Sequence, residues 1–367
     1  MEKPVKVRLH IMSPVHIGCD DVYEPTSFVV DEKTNTLIEF DPMDFVKTLN
    51  HEQKNELVKV YSDDNLLSIF KFTKRVYKPA IGGRKVSISS GLSEHYKKVL
   101  AMSSYDKKAV IHQFTINRTT YNPQNNMPYI PGSSIKGSMR TAYLSKLAKD
   151  RNIAGRKDKA KDLEHELLYG GFDKDPFRMV KVSDFMPAGD IKTKIIYAVN
   201  RKKCKSEIPT MADSGPPQIL EIIQSDSVFE GIINMQQPEK MVGITKAIEK
   251  NEFLKSINAF YMPLFNAENK VTKEIDAGTI VGYRINEKFK NKLGLTAFLF
   301  RLGRHSGAEA VTIEGNRYIK IMQKKGQPPK FLDHATTFWL ASETSKPTSN
   351  NGLVPFGWAV MEIMQWI

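Results

Sequence analysis

Four side chains in Asn126-Asn-Met-Pro-Tyr-Ile-Pro-Gly-Ser-Ser-Ile-Lys-Gly-Ser-Met-Arg140 could together hold an anion: Ser133, Ser134, Lys136 and Arg140. A Pro131-Gly132 turn precedes them, and Ser133 or Ser134 would cap the helix that follows, since a serine hydroxyl accepts one of the orphan N–H bonds of a helix start. Ile135, Met139, Ala142, Tyr143 and Leu147 fall on the helical period and predict one apolar face. Lys136 and Arg140 then lie in the first two turns, and no acidic residue follows before Asp150. Each cation there opposes the helix dipole by about 0.3–1 kcal/mol. Gly137 inside the helix costs about 1 kcal/mol more relative to alanine, while letting a backbone or ligand approach closely. A bound phosphate would reverse the electrostatic sign, because N–H groups, dipole and both cations would converge on it. The plain alternative is a capped helix with a solvated basic face. Gly132 and Gly137 have the spacing of a nucleotide-binding P-loop, but Ser138 and Met139 stand where its Lys and Ser/Thr belong, which excludes ATPase chemistry.

Two histidines are weak candidates for a general base, and each is also a candidate RNA contact. His16 lies in Ser13-Pro-Val-His-Ile-Gly18, after a strand in which Val5, Val7, Leu9 and Ile11 alternate with Lys6, Arg8 and His10. His305 and Arg304 sit at the tip of a loop bounded by Gly303 and Gly307. Glycine-bounded loops with cations can cradle phosphate, and they also serve as structural turns. A third basic cluster, Arg201, Lys202, Lys203 and Lys205, opens a long loop between strands at 195–199 and 218–223. Loops longer than about 12–15 residues in compact domains are usually functional or disordered.

These elements need a scaffold, and the remaining pattern supplies one. A hairpin at 28–40 leads into Asp41-Pro42, an N-cap followed by proline at the first helical position. Strands are predicted near 177–185 and 228–233, an apolar segment from Phe298 leads into the glycine-bounded loop, and a final pair of strands lies at 336–341 and 357–363. Residues 51–112 and 240–293 read as helical insertions, the second interrupted at Tyr261-Met-Pro-Leu-Phe265. Antiparallel strands with helices on one face give an α+β layout. The chain carries 54 Lys and Arg against 41 Asp and Glu, a net charge of +13, which favours nucleic acid as partner over a membrane surface. There is no span-length apolar run and no signal-peptide core. Two cysteines, Cys19 and Cys204, fit a reducing cytoplasm and are too few for a cysteine-rich metal site; no metal or cofactor is expected.

Pro128-Tyr-Ile-Pro-Gly-Ser-Ser-Ile-Lys-Gly-Ser-Met-Arg140 resembles the most specific motif of the RAMP superfamily of CRISPR effector subunits. Ser13-Pro-Val-His-Ile-Gly18 resembles its first-strand signature, and Met179-Val-Lys-Val-Ser-Asp184 with Leu220-Glu-Ile-Ile223 and Ser227-Val-Phe-Glu-Gly231 resembles further strands of the family. Within the superfamily the combination is most similar to the fifth subunit of the type III-A Csm complex. The pointers are the hairpin with Asp41-Pro42, the Phe300-Arg-Leu-Gly-Arg-His-Ser-Gly307 loop, and Thr337-Phe-Trp-Leu340 followed by Val354-Pro-Phe-Gly-Trp358.

The resemblance implies one RAMP domain over 1–367 with a ferredoxin-like or RRM-like core near 5–40, 126–150, 177–233, 296–313 and 336–367. It implies a thumb-like arm at 195–223. The implied role is a non-catalytic cap on a filament of backbone subunits, near the 3′ end of the crRNA, with a part in crRNA maturation and antiviral defence. Implied partners are crRNA, complementary target RNA, neighbouring Csm backbone and small subunits, and accessory nucleases. Lys136, Arg140 and the Gly132–Ser134 amides would grip guide phosphates, with Gly137 giving access. His16, Gly18, the Arg201–Lys205 cluster and the Gly303–Gly307 loop would extend the track. Such backbone contacts position RNA without reading its sequence. A related backbone subunit cleaves target RNA with an aspartate whose place falls here near Ile116 or Asn117, neither a carboxylate. The rival readings are a guide-processing endoribonuclease using His16 or His305, and another RAMP subunit of a type III complex.

Overall fold

The computed structural model describes residues 4–62, 65–102, 114–155, 159–204, 216–238, 243–244, 246–323 and 326–366. Its strands begin with β1 (Val5–Ile11), β2 (Gly18–Val22), β3 (Phe28–Asp31), β4 (Thr36–Glu39), β5 (Arg84–Ile88) and β6 (Ile116–Thr119). Next come β7 (Val180–Val182), β8 (Met186–Pro187), β9 (Thr193–Lys202), β10 (Gln218–Ile223), β11 (Val228–Met235) and β12 (Ala297–Arg301). The last are β13 (Ile319–Ile321), β14 (Lys330–Leu332), β15 (Thr337–Ser342), β16 (Val354–Pro355) and β17 (Trp358–Trp366). The helices are α1 (Pro42–Lys47), α2 (His51–Ser62), α3 (Leu66–Val76), α4 (Ser90–Ala101), α5 (Gly132–Asp150), α6 (Ala160–Leu167), α7 (Lys250–Glu274) and α8 (Ile280–Phe289).

Alternation dictates β1: Val7, Leu9 and Ile11 are buried while Lys6, Arg8 and His10 face outward. It is the middle strand of a first sheet ordered β12-β17-β1-β11-β7, with β8 beside β11. The expected basic face is there but partly compensated, since Lys6 and Arg8 share the one carboxylate of Glu230, and His10 hydrogen-bonds Glu362. A second sheet runs β2-β6-β10-β9-β5-β4-β3, with β15 also on β9 and β16 on β15. Pairing is antiparallel except for β6 with β10 and β5 with β9. The α+β layout predicted from the sequence is the one observed.

Each sheet covers its own core. The first holds Ile135, Met139 and Tyr143 of α5 against Phe253, Ile257 and Tyr261 of α7 and Phe300 of β12. The second packs α3 and α4 onto β9 and β10 through Phe70, Tyr96, Ile195, Tyr197 and Ile219. Residues 240–293, expected as an insertion, supply first-core helices where described; of 51–102, α3 and α4 supply the second core, while Leu57 and Val60 of α2 pack on a separate cluster with Phe40, Phe45, Phe72 and Val76.

Three local expectations change. The predicted break near Pro263 does not occur, and α7 runs through it. Proline there removes one helical hydrogen bond, costing about 3 kcal/mol, but Phe253, Ile257, Phe260 and Tyr261 bury the same helix in the core. The final two strands do not pair with one another: β15 pairs with β9 and β17 with β1 and β12, in different sheets. Proximity in sequence misled there, because a loop carries β16 and the chain changes sheets within it. The helix expected through about Leu49 stops at Lys47, although Asp41 caps it as predicted, accepting from Met43 N and Asp44 N at 2.7 and 3.1 Å.

The strands flanking the expected arm are β9 and β10, paired from Gln218 opposite Ala198 to Ile223 opposite Thr193. The loop tip at 205–215, including Lys205, lies outside the described residues, as does 103–113 of the first expected insertion.

Candidate nucleic-acid interface

Helix α5 starts one residue before the expected serine caps. Pro131 occupies the N-cap position without a side-chain bond, and Gly132 N–H donates to Asp184 Oδ1 at 2.8 Å. The anion that answers the helix dipole thus comes from the strand region after β7, far away in sequence. Gly132 is needed for packing: a Cβ there would sit 2.4 Å from the Val182 carbonyl oxygen and 2.6 Å from that of Ser183. Ser133 is exposed and Ser134 half-buried, and neither caps the helix.

The two cations of the motif separate. Arg140 donates through Nε and Nη2 to Glu164 Oε2 at 3.1 and 2.8 Å, and through Nη1 to Asp175 Oδ2 at 2.7 Å. Its guanidinium also lies 5.0 Å from the centre of the Phe177 ring. The expectation that Arg140 faces a phosphate gives way to a structural role, tying α5 to α6 and to the following loop. Lys136 makes no ion pair among the described residues. Burial first, then the neighbouring Lys181 and Arg140, push its pKa down, against the opposing charge of Asp175. A second cation crowding a desolvated lysine is the arrangement an anion relieves. Lys181, on β7, was not anticipated as a site residue; its place in an alternating strand gives no hint that it meets α5. Gly137 is exposed, with nothing within 4 Å of a Cβ placed on it, so the helix face between Ser133, Lys136 and Arg140 is open.

The Ser13–Gly18 and Gly303–Gly307 segments come together at a junction that buries Ser13, Val15, His16, Ile17 and Ser306. Arg304 N–H donates to the His16 carbonyl at 2.8 Å, and a Cβ on Gly303, at φ +82°, would meet that same oxygen at 2.6 Å. Gly357 N–H donates to Pro14 O at 2.9 Å and Trp358 N–H to Ser13 Oγ at 2.8 Å. His16 is 0 % exposed, and its Nδ1–H donates to the Glu221 carbonyl at 2.7 Å. Only that tautomer suits a carbonyl acceptor. His305 packs its ring 4.8 Å from Trp339 and 5.4 Å from Phe356. The His16 imidazole is sealed from RNA in this conformation, which corrects it as a contact; His305 is half-buried with its ring held against Trp339 and Phe356, and Arg304 is exposed. Burial lowers the His16 pKa, and burial with His16 and Arg304 pushes that of His305 down to about 4.

Stability should follow these two groups. Between about pH 6.5 and the lowered folded pKa values, the unfolded chain binds protons that the folded one refuses, so stability falls as pH falls through that window. For His305 alone the loss by pH 5 is about 2 kcal/mol. Thermal midpoints should drop from pH 7 to pH 5, and His305→Gln should flatten that drop. An unaltered pH slope in the variant would mean the imidazole is not held neutral.

The arm cations are also engaged. Arg201 donates to Asn350 Oδ1 at 3.0 Å, Asn200 O at 3.1 Å and Pro347 O at 3.1 Å, and Lys203 pairs with Glu309 at 2.5 Å. Lys202 is exposed, as is Gly18 at the start of β2. Ile116 and Asn117 are both in β6; Ile116 is fully buried, and Asn117 Nδ2 donates to Ile219 O at 3.2 Å.

Beneath this surface the second sheet holds an ion network not anticipated from the sequence. Arg84 donates to Glu221 Oε1 at 2.5 Å and Glu39 Oε2 at 3.3 Å, and Arg118 to Glu39 Oε1 at 2.9 Å. Two arginines and two glutamates, from β4, β5, β6 and β10, meet only after the sheet forms. Among the described residues no three metal-ligating side chains converge, and no described helix is long and apolar enough to cross a membrane.

Residues 8–303 match the family model described as the RAMP superfamily. The chain is 28% identical to the CRISPR system Cms protein Csm5 of Methanocaldococcus jannaschii, over 98% of this chain and 89% of that one. In fold it is similar to a chain of the cryo-EM structure of a Csm–crRNA–target RNA ternary complex of a type III-A CRISPR-Cas system. The TM-score is 0.64 at 17% identity, covering 99% of this chain and 100% of the other. It is also similar to the crystal structure of T. onnurineus Csm5, with TM-score 0.56 at 16% identity, covering 96% and 99%. At these identities the two structures speak to the fold alone.

Proposed function

Because the chain belongs to the RAMP superfamily, we propose that it is a non-catalytic, RNA-binding subunit of a type III-A Csm complex, capping the backbone filament near the 3′ end of the crRNA. Its partners are then crRNA, complementary target RNA and the neighbouring Csm backbone and small subunits, with accessory nucleases recruited for crRNA maturation. The observation that carries this reading is the likeness to Csm5 across nearly the full length of both chains. The net charge of +13 and the open α5 face beside Lys136 suit a polyanion. Phosphate contacts from Lys136, Lys181 and Arg304 would set register without reading bases.

The endoribonuclease reading would need a general base within reach of a ribose hydroxyl. The burial of His16 and the ring packing of His305 weigh against it. For target cleavage, the strand positions of Ile116 and Asn117 offer no carboxylate where the related subunit has one.

The test is to assemble the complex with and without this chain and sequence the RNA that co-purifies. Shortened filaments and crRNA with altered 3′ ends are expected when the chain is omitted. Unaltered crRNA ends and full-length filaments would refute the cap. Site-specific cleavage of a repeat RNA by the purified chain without metal, lost in His16→Ala or His305→Ala, would favour the enzyme.

A further inference from the structure

After α6 the chain turns through Leu167-Leu-Tyr-Gly-Gly-Phe172 and runs back beside α5. Leu167 and Leu168 are buried and anchor the turn, while the two aromatic side chains point outward: Tyr169 is 49% exposed and Phe172 79%. Tyr169 has φ +65°, a left-handed conformation that is strained for an L-residue. Bulky residues seldom adopt it, and such strain gathers at functional positions.

Each ring is backed by an arginine. The Arg151 guanidinium lies 4.4 Å from the Tyr169 ring centre, and that of Arg178 lies 5.2 Å from Phe172. Both arginines are steadied by backbone carbonyls, Arg151 on Glu166 O at 3.1 Å and Arg178 on Asp173 O at 2.9 Å. Neither makes an ion pair with a carboxylate among the described residues, unlike Arg140 of α5. The result is two exposed aromatic rings, each against a guanidinium that no carboxylate of the described residues neutralises. Lys136 at the start of α5 and Arg151 just past its end are separated by about 22 Å at 1.5 Å per residue.

We propose that Tyr169 and Phe172 are stacking platforms for the bases of single-stranded RNA, with Arg151 and Arg178 reinforcing the stack, on a track that begins at Lys136. This rests on the RNA-binding reading above and extends it from phosphates to bases. Aromatic rings take any base, and a guanidinium behind the ring adds attraction for the phosphate chain. A protein surface docking on the same rings would not require a guanidinium against each of them.

The test uses the full chain and single-stranded oligouridine carrying a fluorophore. Tyr169→Ala with Phe172→Ala should weaken binding by about tenfold or more per ring, with the salt dependence unchanged, because no charge is removed. Tyr169→Trp with Phe172→Trp should restore it. With 5-iodouridine in the RNA, photo-cross-links on the wild-type chain should map to Tyr169 or Phe172. If cross-links fall only elsewhere, or the double alanine variant binds like wild type while Lys136→Ala weakens binding, the stacking track is wrong and the RNA-binding reading stands. If the wild-type chain binds no oligouridine, both fall.

Discussion

Glutamine in place of Glu221 is expected to destabilise the fold by about 3–5 kcal/mol, the cost typical of breaking a buried ion pair from one side. Glu221 is 0 % exposed; its carboxylate accepts Arg84 at 2.5 Å and Thr119 N–H at 3.4 Å, and its carbonyl holds His16. Without its charge, Arg84 and the 7 %-exposed Arg118 share Glu39 alone. The denaturant midpoint should fall with its slope unchanged, since the exposed area on unfolding is the same. Replacing both partners, Glu221→Leu with Arg84→Met, should recover much of the loss, because an apolar pair needs no charge compensation. A loss for Glu221→Gln below about 1 kcal/mol would place the pair in the range of a solvent-screened surface bridge.

Lys136 and Arg140, four residues apart on one helix, should fail in different ways. Arg140→Ala strands Glu164 and Asp175 and removes a cation from the Phe177 ring, so its main effect is on stability, about 2 kcal/mol after allowing for partial exposure. Lys136→Ala breaks no ion pair among the described residues and relieves a crowded cation, so thermal stability should hold or rise slightly. Its effect is on RNA affinity, and it should be similar for all guide sequences. Binding isotherms and thermal melts on the two variants separate the roles. Equal loss of RNA affinity at unchanged stability in both would return Arg140 to the phosphate site.

Much of the scaffold was legible because it rests on local rules. The alternation of β1, the hairpin of β3 and β4, and the Asp41-Pro42 helix start each follow from neighbouring residues. What the sequence hid is what arrives from elsewhere in the chain. The run from Ser133 to Lys149 holds no carboxylate, so the α5 start looked uncompensated, yet Asp184 caps it and Glu164 and Asp175 neutralise Arg140. The glycines of the Gly303–Gly307 loop suggested a phosphate cradle. Gly303 instead clears room for the His16 carbonyl, an approach between residues almost three hundred positions apart. The network of Glu39, Arg84, Arg118 and Glu221 is likewise a product of strand order, invisible until β4, β5, β6 and β10 share one sheet.

The central claim, that this chain grips RNA phosphates from the open face of α5, is tested most directly by the salt dependence of binding to single-stranded RNA. From the sequence, Lys136 and Arg140 would both contribute to the slope of log affinity against log salt. With Arg140 already neutralised, Lys136→Ala alone should reduce that slope by about 0.7, the contribution of one phosphate contact on a single strand. Arg140→Ala should leave it almost unchanged. A wild-type slope retained in Lys136→Ala would contradict the account and leave the motif a packed helix with a solvated lysine.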